Sequence, residues 1–307
     1  MHVRLKGILL AGGHGSRLYP VTLAICKQLL PIFDKPMIYY PLSVLMMAGI
    51  REILIISTPD DTSRFEKLFG DGSSLGLQLV YAVQPYPGGL AQAFIMGASF
   101  IQNNPICLVL GDNIFYGHDF PKLLQEGTAL ETGGMIFAYH VKDPHRYGVV
   151  QFDEKMQAID IEEKPIVPKS SYAIPGLYFY GPEVVEVAKD LKPSSRGEVE
   201  ITDIHRNFLQ RKQLKVQLMG RGLAWLDTGT FDAFQKASLF VQSIQERQGI
   251  KISCIEEIAY RKGYIGKDQL LLLAKRYSKS EYGDYLRNVA VSFGGHLDVH
   301  VLSNFNL

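Results

Sequence analysis

The stretch Leu5-Lys6-Gly7-Ile8-Leu9-Leu10-Ala11-Gly12-Gly13-His14-Gly15-Ser16-Arg17-Leu18 joins a short apolar run to three glycines and an arginine. A run of this length bounded by glycine reads as a buried β-strand, Leu5 to Ala11, that enters a loop. Outward from it the same alternation recurs. Met37 to Gly49 reads as a helix, with Pro41 tolerated near its first turn, where a missing amide donor costs little. Glu52 to Ser57 is an Ile-rich strand, and Asp60 to Gly70 is a helix with an acidic start and a glycine stop. Leu77 to Val83 is a strand, Leu90 to Ile101 a helix, and Ile106 to Leu110 a strand that ends in Gly111-Asp112-Asn113. Strands alternating with helices of this length imply βαβ units: an α/β, Rossmann-like fold with a mixed, mostly parallel sheet flanked by helices. Residues 134–180 are richer in strands, with alternation in Tyr147 to Asp153 and a run from Ala173 to Tyr180. From Thr230 onward the pattern is mainly helical. One domain over residues 1–289 is expected, with parts at about 1–133, 134–229 and 230–289; residues 290–307 carry no strong period and are assigned no role.

The 307 residues are 47% hydrophobic and carry 32 Lys plus Arg against 31 Asp plus Glu. That supports a sizeable core, and nothing global draws the chain toward nucleic acid or a membrane surface. Anion binding must therefore come from local cations and backbone amides. No stretch approaches the ~18 apolar residues of a membrane span, and no secretory leader is evident. Cys26, Cys107 and Cys254 are distant in sequence and form no CxxC pair, so reduced cytoplasmic thiols are expected rather than disulfides or a thiolate metal site.

Glycines that directly follow a strand let backbone N–H groups approach a polyphosphate. The loop is not the dinucleotide fingerprint, because Leu18 stands where the third glycine belongs, and it is not a Walker A loop, because no Gly-Lys-Ser/Thr follows. Glycines alone would read as an ordinary turn. Arg17, whose guanidinium can grip phosphate in a fork, and the downstream Lys27-Gln28-Leu29-Leu30-Pro31 reverse those odds. Asp112 follows one apolar run and Asp227 another, and both are expected to project toward the glycine loop. Two carboxylates without histidine or cysteine suit Mg²⁺ shared with phosphates and suit zinc poorly. The bland readings are a turn residue for Asp112 and a helix start for Asp227, although Thr228 or Thr230 could cap that helix equally well.

The pairing of GGxGxRL with KQLLP resembles the sugar-nucleotide pyrophosphorylases, or sugar-1-phosphate nucleotidyltransferases. Further segments in matching order extend the resemblance over about residues 5–289. They include Lys35-Pro36-Met37-Ile38-Tyr39-Tyr40-Pro41, Gly89-Leu90-Ala91-Gln92, Gly111-Asp112-Asn113, Arg146-Tyr147-Gly148-Val149-Val150, Glu162-Glu163-Lys164-Pro165, Gly197-Glu198-Val199-Glu200-Ile201-Thr202-Asp203 and Trp225-Leu226-Asp227-Thr228-Gly229. The resemblance is strongest to the branch that joins dTTP to glucose 1-phosphate and supplies deoxysugars such as dTDP-rhamnose. It implies Mg²⁺ on Asp112 and Asp227, and catalytic cations at Arg17, Lys27 and Lys164. It implies a nucleotide site at Leu10, Gly12, Gly13, Gly15, Ser16, Gln28, Gln84 and Gly89, and a sugar site at Asn113, Tyr147, Gly148, Glu163 and Ile174. Gln84 offers a donor and an acceptor for a thymine edge. The resemblance also implies a homotetramer and a second nucleotide site bordered by Phe115-Tyr116-Gly117-His118. His140, His145 and His205 show no ligand spacing and read as structural or surface residues. Three positions depart from the pattern: His14 in the loop, Gly88 before Gly89-Leu90, and Pro175 before Gly176-Leu177. Relatives that use UTP or another nucleotide, a homologue that has lost catalysis, and a nicotinamide dehydrogenase are the competing readings. The charged set at 17, 27, 112, 164 and 227 argues against the second, and the missing third glycine against the third.

Overall fold

The structure, a computed structural model, describes residues 4–13 and 15–292. Strand β1 (Lys6–Ala11) is followed by the glycine loop and a small ribbon, β2 (Pro31–Ile32) with β3 (Lys35–Pro36). Then come α1 (Tyr39–Met47), β4 (Glu52–Ser57), α2 (Thr62–Phe69), β5 (Gln78–Val83), α3 (Gln92–Met96), α4 (Ala98–Ile101) and β6 (Ile106–Leu110). β1 pairs in parallel with β4 on one side and β6 on the other, and β5 adds in parallel to β4. Side chains alternate across this sheet as its period of two requires. Leu9 and Ala11 join one apolar layer with Cys107, Val109 and α1; Ile8 and Leu10 join the opposite layer with Ile106 and Leu108. Apolar residues on both faces explain why these strands read as continuous runs.

The sheet then changes character. β7 (Asn113–Tyr116) and α5 (Phe120–Thr128) lead into β8 (Gly134–His140), β9 (Gly148–Phe152), β10 (Ala158–Glu163), β11 (Tyr172–Ala173) and β12 (Leu177–Tyr180). After α6 (Val184–Asp190) and α7 (Ile201–Gln210) follow β13 (Leu214–Met219) and β14 (Ala224–Asp227). The ten-stranded sheet runs β10-β9-β11-β8-β12-β6-β1-β4-β5, with β13 paired separately to β8. β12 is antiparallel to both β6 and β8, so it splices the strand-rich half onto the parallel half. β14 stands apart and pairs with β7, which sets Asp227 opposite Asn113.

Two expectations are refined. The helix expected over residues 90–101 breaks at Gly97 into α3 and α4. A Cβ there would stand 2.9 Å from the Ala93 carbonyl and 3.2 Å from Ile8 Cδ1, so the backbone itself packs on β1. The run Ala173 to Tyr180 is not one strand. Pro175 has no N–H for a ladder, and the Gly176 amide donates to Asn113 Oδ1 at 3.0 Å, so β11 ends and β12 begins.

The C-terminal region is helical as expected: α8 (Phe231–Gln248), α9 (Ile255–Arg261), α10 (Lys267–Arg276) and α11 (Glu281–Ser292). Thr230, not Thr228, caps α8 by accepting from the Ala233 amide. α9 packs on α1, and its buried acids are held by side chains. Tyr282 donates to Glu256 at 2.6 Å, while Tyr285 and Arg261 donate to Glu257 at 2.5 and 2.7 Å. Burial raises the Glu256 carboxyl above its ordinary range. Cys26, Cys107 and Cys254 are free and buried, and burial pushes the Cys26 thiol up to about 12. Among the described residues no helix is long and apolar enough to cross a membrane.

Gly127 in α5 gives a test of core packing. Helix propensity favours alanine over glycine by about 1 kcal/mol. Here an added Cβ would lie 2.5 Å from the ring of Phe179, which is fully buried and cannot swing outward. Overpacking of this kind costs about 1–3 kcal/mol. Gly127→Ala is therefore expected to lower the urea midpoint, and adding Phe179→Leu to recover part of the loss. A midpoint unchanged or raised in Gly127→Ala would show that the ring gives way.

Candidate functional site

β1 and β6 end side by side, so the glycine loop and Gly111-Asp112-Asn113 emerge at the same sheet edge; the Gly111 amide donates to the Leu10 carbonyl at 2.9 Å. Gly13 and Gly15 have φ of +97° and +59°, the left-handed region that glycine enters at no steric cost. His14 lies outside the described residues. Ser16-Arg17-Leu18 forms one 3-10 turn, and of the candidates only Ser16 lines none of three adjoining clefts. Asp112 lines all three.

The first cleft, about 190 Å³, is bounded by Leu10, Gly12, Gly13, Gln28, Gln84 and Gly89. Gln84 donates from Nε2 to Gln92 Oε1 at 2.8 Å, while its own Oε1 would lie 2.8 Å from a Cβ at Gly12. A side chain at 88 would strike Gln92 Oε1 at 2.5 Å. The glycine there therefore makes room for the residue that orients Gln84. Gln28 donates to the Gly12 carbonyl at 3.3 Å, and its buried Oε1 has no protein partner. A larger cavity, about 600 Å³, beside Tyr19–Cys26 shares Gly13 and Gln84 with the first cleft and contains none of the candidate cations or aspartates.

The second cleft, about 150 Å³, collects Gly12, Gly13, Gly15, Arg17, Lys27 and Asp112. Lys27 is almost fully buried, and its Nζ donates to Asp112 Oδ2 at 2.6 Å. Burial alone would raise the Asp112 carboxyl, but the charge and hydrogen bond of Lys27, with help from Asn113 and Arg17, hold it below its ordinary range. Asp227 moves the other way: burial and the like charge of Asp112 raise it, against the pull of Lys27, Arg146 and Arg17. A Cβ on Gly229 would meet Asp227 Oδ2 at 3.1 Å and Arg17 Nη1 at 3.3 Å, so that glycine lets the guanidinium reach over the carboxylate. Two partly buried carboxylates that repel each other beside a phosphate-sized cleft suit a divalent cation. The donors are all oxygen, which suits Mg²⁺. No group of three or more His, Cys, Asp or Glu that could hold a metal occurs among the described residues, so phosphate and water oxygens would complete the shell.

The third cleft, about 170 Å³, is lined by Arg17, Asn113, Tyr147, Gly148, Glu163, Lys164, Ile174 and Asp227. Asn113 is largely committed to the protein. Its Oδ1 accepts from Gly176 N and from Trp225 Nε1 at 2.6 Å, and its Nδ2 donates to Asp112 Oδ1 at 2.8 Å. It fixes Asp112 and keeps one N–H to spare. Lys164 has φ +43°, a strained value for a lysine, and its amide donates to the Tyr147 carbonyl at 3.0 Å. Its Nζ lies 3.5 Å from Glu163 Oε1. Sequence reasoning did not single out two further arginines. Arg146 Nη2 lies 3.3 Å from Asp227 Oδ2, and Arg196 bridges Glu163 at 3.4 Å and Glu200 at 2.7 Å. Arg146 sits in a quoted segment, next to Tyr147, and Arg196 directly precedes another, Gly197 to Asp203; neither differs in residue type from an ordinary surface arginine.

A sequence model of the nucleotidyl transferase family matches residues 6–244. The glucose-1-phosphate thymidylyltransferase of Neisseria meningitidis serogroup A is 56% identical over 282 residues, covering 92% of this chain and 98% of that protein. The enzyme of that name from Mycobacterium tuberculosis H37Rv is 52% identical over 282 residues, with the same coverage of 92% and 98%. Among solved structures, a candidate glucose-1-phosphate thymidylyltransferase from Bacillus anthracis, in complex with sucrose, superposes with a TM-score of 0.71 at 40% identity, covering 77% of this chain and 94% of that one. A UDP-glucose pyrophosphorylase complexed with UDP-glucose gives 0.69 at 25% identity, covering 80% and 100%. Sheet topology, the clustering of the charged residues and identity over nine-tenths of the length agree: the chain belongs to the nucleotidyl transferase family, among the glucose-1-phosphate thymidylyltransferases.

Proposed function

We propose that the chain transfers a thymidylyl group from dTTP to α-D-glucose 1-phosphate, giving dTDP-glucose and pyrophosphate. The observation that carries this reading is the position of Asp112, common to a cleft with an amide edge-reader, a glycine-walled cleft with two cations, and a cleft ending in Lys164. In this reading residues 1–133 hold the nucleotide, residues 134–229 the sugar phosphate, and the helical part, residues 230–289, supports both. The thymine edge meets Gln84, with Leu10 against the ring. A phosphate oxygen of the sugar phosphate attacks the α-phosphorus; the new P–O bond forms as the α–β anhydride bond breaks and pyrophosphate leaves with its electron pair. No general base is required, because the attacking phosphate is already ionised near pH 7. The work is positioning and charge neutralisation. Arg17 and Lys27 take up charge on the α-phosphate and the leaving group, Lys164 pins the attacking phosphate, and Glu163, Tyr147, Gly148 and Ile174 bound the hexose. Asp112 and Asp227 would hold Mg²⁺, which when bound would supply charge neutralisation for the nucleotide phosphates. A homotetramer and a cytoplasmic location belong to the same reading, the latter supported by three unpaired buried thiols.

Pyrophosphate release measured across a panel of nucleotides and sugar phosphates tests the substrate pair. dTTP with glucose 1-phosphate is expected to give the highest kcat/KM, with UTP weaker; a higher value with ATP or GTP would overturn the reading. Asp227→Asn removes one of two repelling carboxylates and keeps the shape. It is expected to lower turnover by about two powers of ten or more, while the melting temperature stays level or rises. Near-wild-type activity at low Mg²⁺ would remove Asp227 from the metal site. Lys164→Ala and Arg17→Ala are expected to fail differently, because charge-assisted hydrogen bonds to distinct phosphates are lost, each worth about 1.5–3 kcal/mol. By calorimetry Lys164→Ala should weaken glucose 1-phosphate and spare dTTP, and Arg17→Ala should do the reverse. The opposite pattern would exchange the two substrate positions.

A further inference from the structure

The third cleft has a polar floor for which the transfer reaction, as described, has no use. Thr202 and His205 lie three apart on α7, on the face turned toward Tyr178 and Tyr180 of β12. Thr202, His205 and Tyr178 all border the cleft that holds Glu163 and Lys164. His205 is completely buried, yet neither Nδ1 nor Nε2 has a protein partner, and the buried hydroxyls of Thr202 and Tyr180 also have none. Burial, reinforced by the charge of Arg206, lowers the imidazole to about 3. At neutral pH the ring is therefore uncharged, with one N–H to give and one lone pair to receive.

Packing does not require that chemistry. Phe208, one turn further along α7, stacks on the same Tyr180 ring at 5.6 Å with no polar atom, whereas His205 lies at 6.1 Å from it. A buried group with both a donor and an acceptor is costly unless something pairs with them, and in folded proteins an enclosed water commonly does so. His205 is closed to bulk solvent, which excludes direct contact with a ligand in this conformation and favours a bridge.

We propose that His205 is a positioning residue for the sugar: with Thr202 Oγ1, which also borders the cleft, it holds enclosed water beneath the cleft floor, and that water bonds to a ring hydroxyl of the hexose. His205 takes this role only if the cleft receives a hexose 1-phosphate, as proposed above. The residue then reads the hydroxyl pattern of the substrate without touching it.

The test compares wild type with His205→Phe, which keeps a ring of similar size and removes both polar atoms, and with His205→Gln, which keeps a donor and an acceptor. Steady-state constants are measured for glucose 1-phosphate and for its 3-, 4- and 6-deoxy analogues, and for dTTP. His205→Phe is expected to raise KM for glucose 1-phosphate by about tenfold, the worth of one hydrogen bond, with KM for dTTP unchanged. Its preference for glucose 1-phosphate over one deoxy analogue should shrink by the same factor, and His205→Gln should restore it. Thr202→Val keeps the side-chain shape and removes only the hydroxyl at the cleft floor, so it should shift the same preference even if His205→Phe folds poorly. Variants that keep the wild-type order of preference, or lose all analogues equally, would make His205 a packing residue only. Wild-type turnover of dTTP with glucose 1-phosphate is the control: its failure overturns the substrate reading, whereas its success with unchanged preferences in the variants overturns the role of His205 alone.

Discussion

One backbone hydrogen bond past the β1–β6 ladder, from Gly111 N to the Leu10 carbonyl, brings the glycine loop and Asp112 into a common edge. The parallel register behind it sets Leu10 opposite Leu110 and is fixed by apolar layers on both faces. A slip of one residue would exchange those layers, so it is strongly opposed. The position of a carboxylate relative to a phosphate-sized cleft is thus decided by burial of Leu, Ile and Val side chains and not by the charges themselves. Loops on such a scaffold can carry chemistry because the strands beneath them cannot shift.

The cost of gathering charge is visible at Asp227. Burial and Asp112 both disfavour its ionised form, and three cations from separate parts of the chain, Arg17, Lys27 and Arg146, oppose that only in part. Such an arrangement is poorly explained as a stabilising device, since buried charges seldom repay their desolvation. It fits a site that reaches electrostatic balance when further charge arrives.

The parallel half of the fold was legible because its strands are short apolar runs separated by glycine-stopped helices, a local signal. Gly97 and Pro175 marked breaks that periodicity alone passed over: in one case a backbone packs on β1, in the other an amide is diverted to Asn113. The residues brought to the clefts were legible as motifs, and the chemistry of Arg17, Lys27, Asp112 and Asp227 as residue types. Arg146 and Arg196 were not, because a lone arginine looks the same in sequence whether it faces solvent or a carboxylate 33 or 81 positions away. The polarity of His205 was likewise invisible: only the three-dimensional burial of α7 against β12 shows that its nitrogens lack partners.

Among the described residues β14 pairs with β7 alone, and this short ribbon carries Trp225, the one tryptophan of the chain. Its indole N–H is given to Asn113, the side chain that also holds Asp112, and its ring lies 5.0 Å from that of Tyr147. The molecule therefore has a single indole chromophore, and it is wired into the hydrogen bonds of the site rather than scattered through the core. Its emission is an unlabelled optical gauge of how that corner of the protein is arranged, free of background from any second indole.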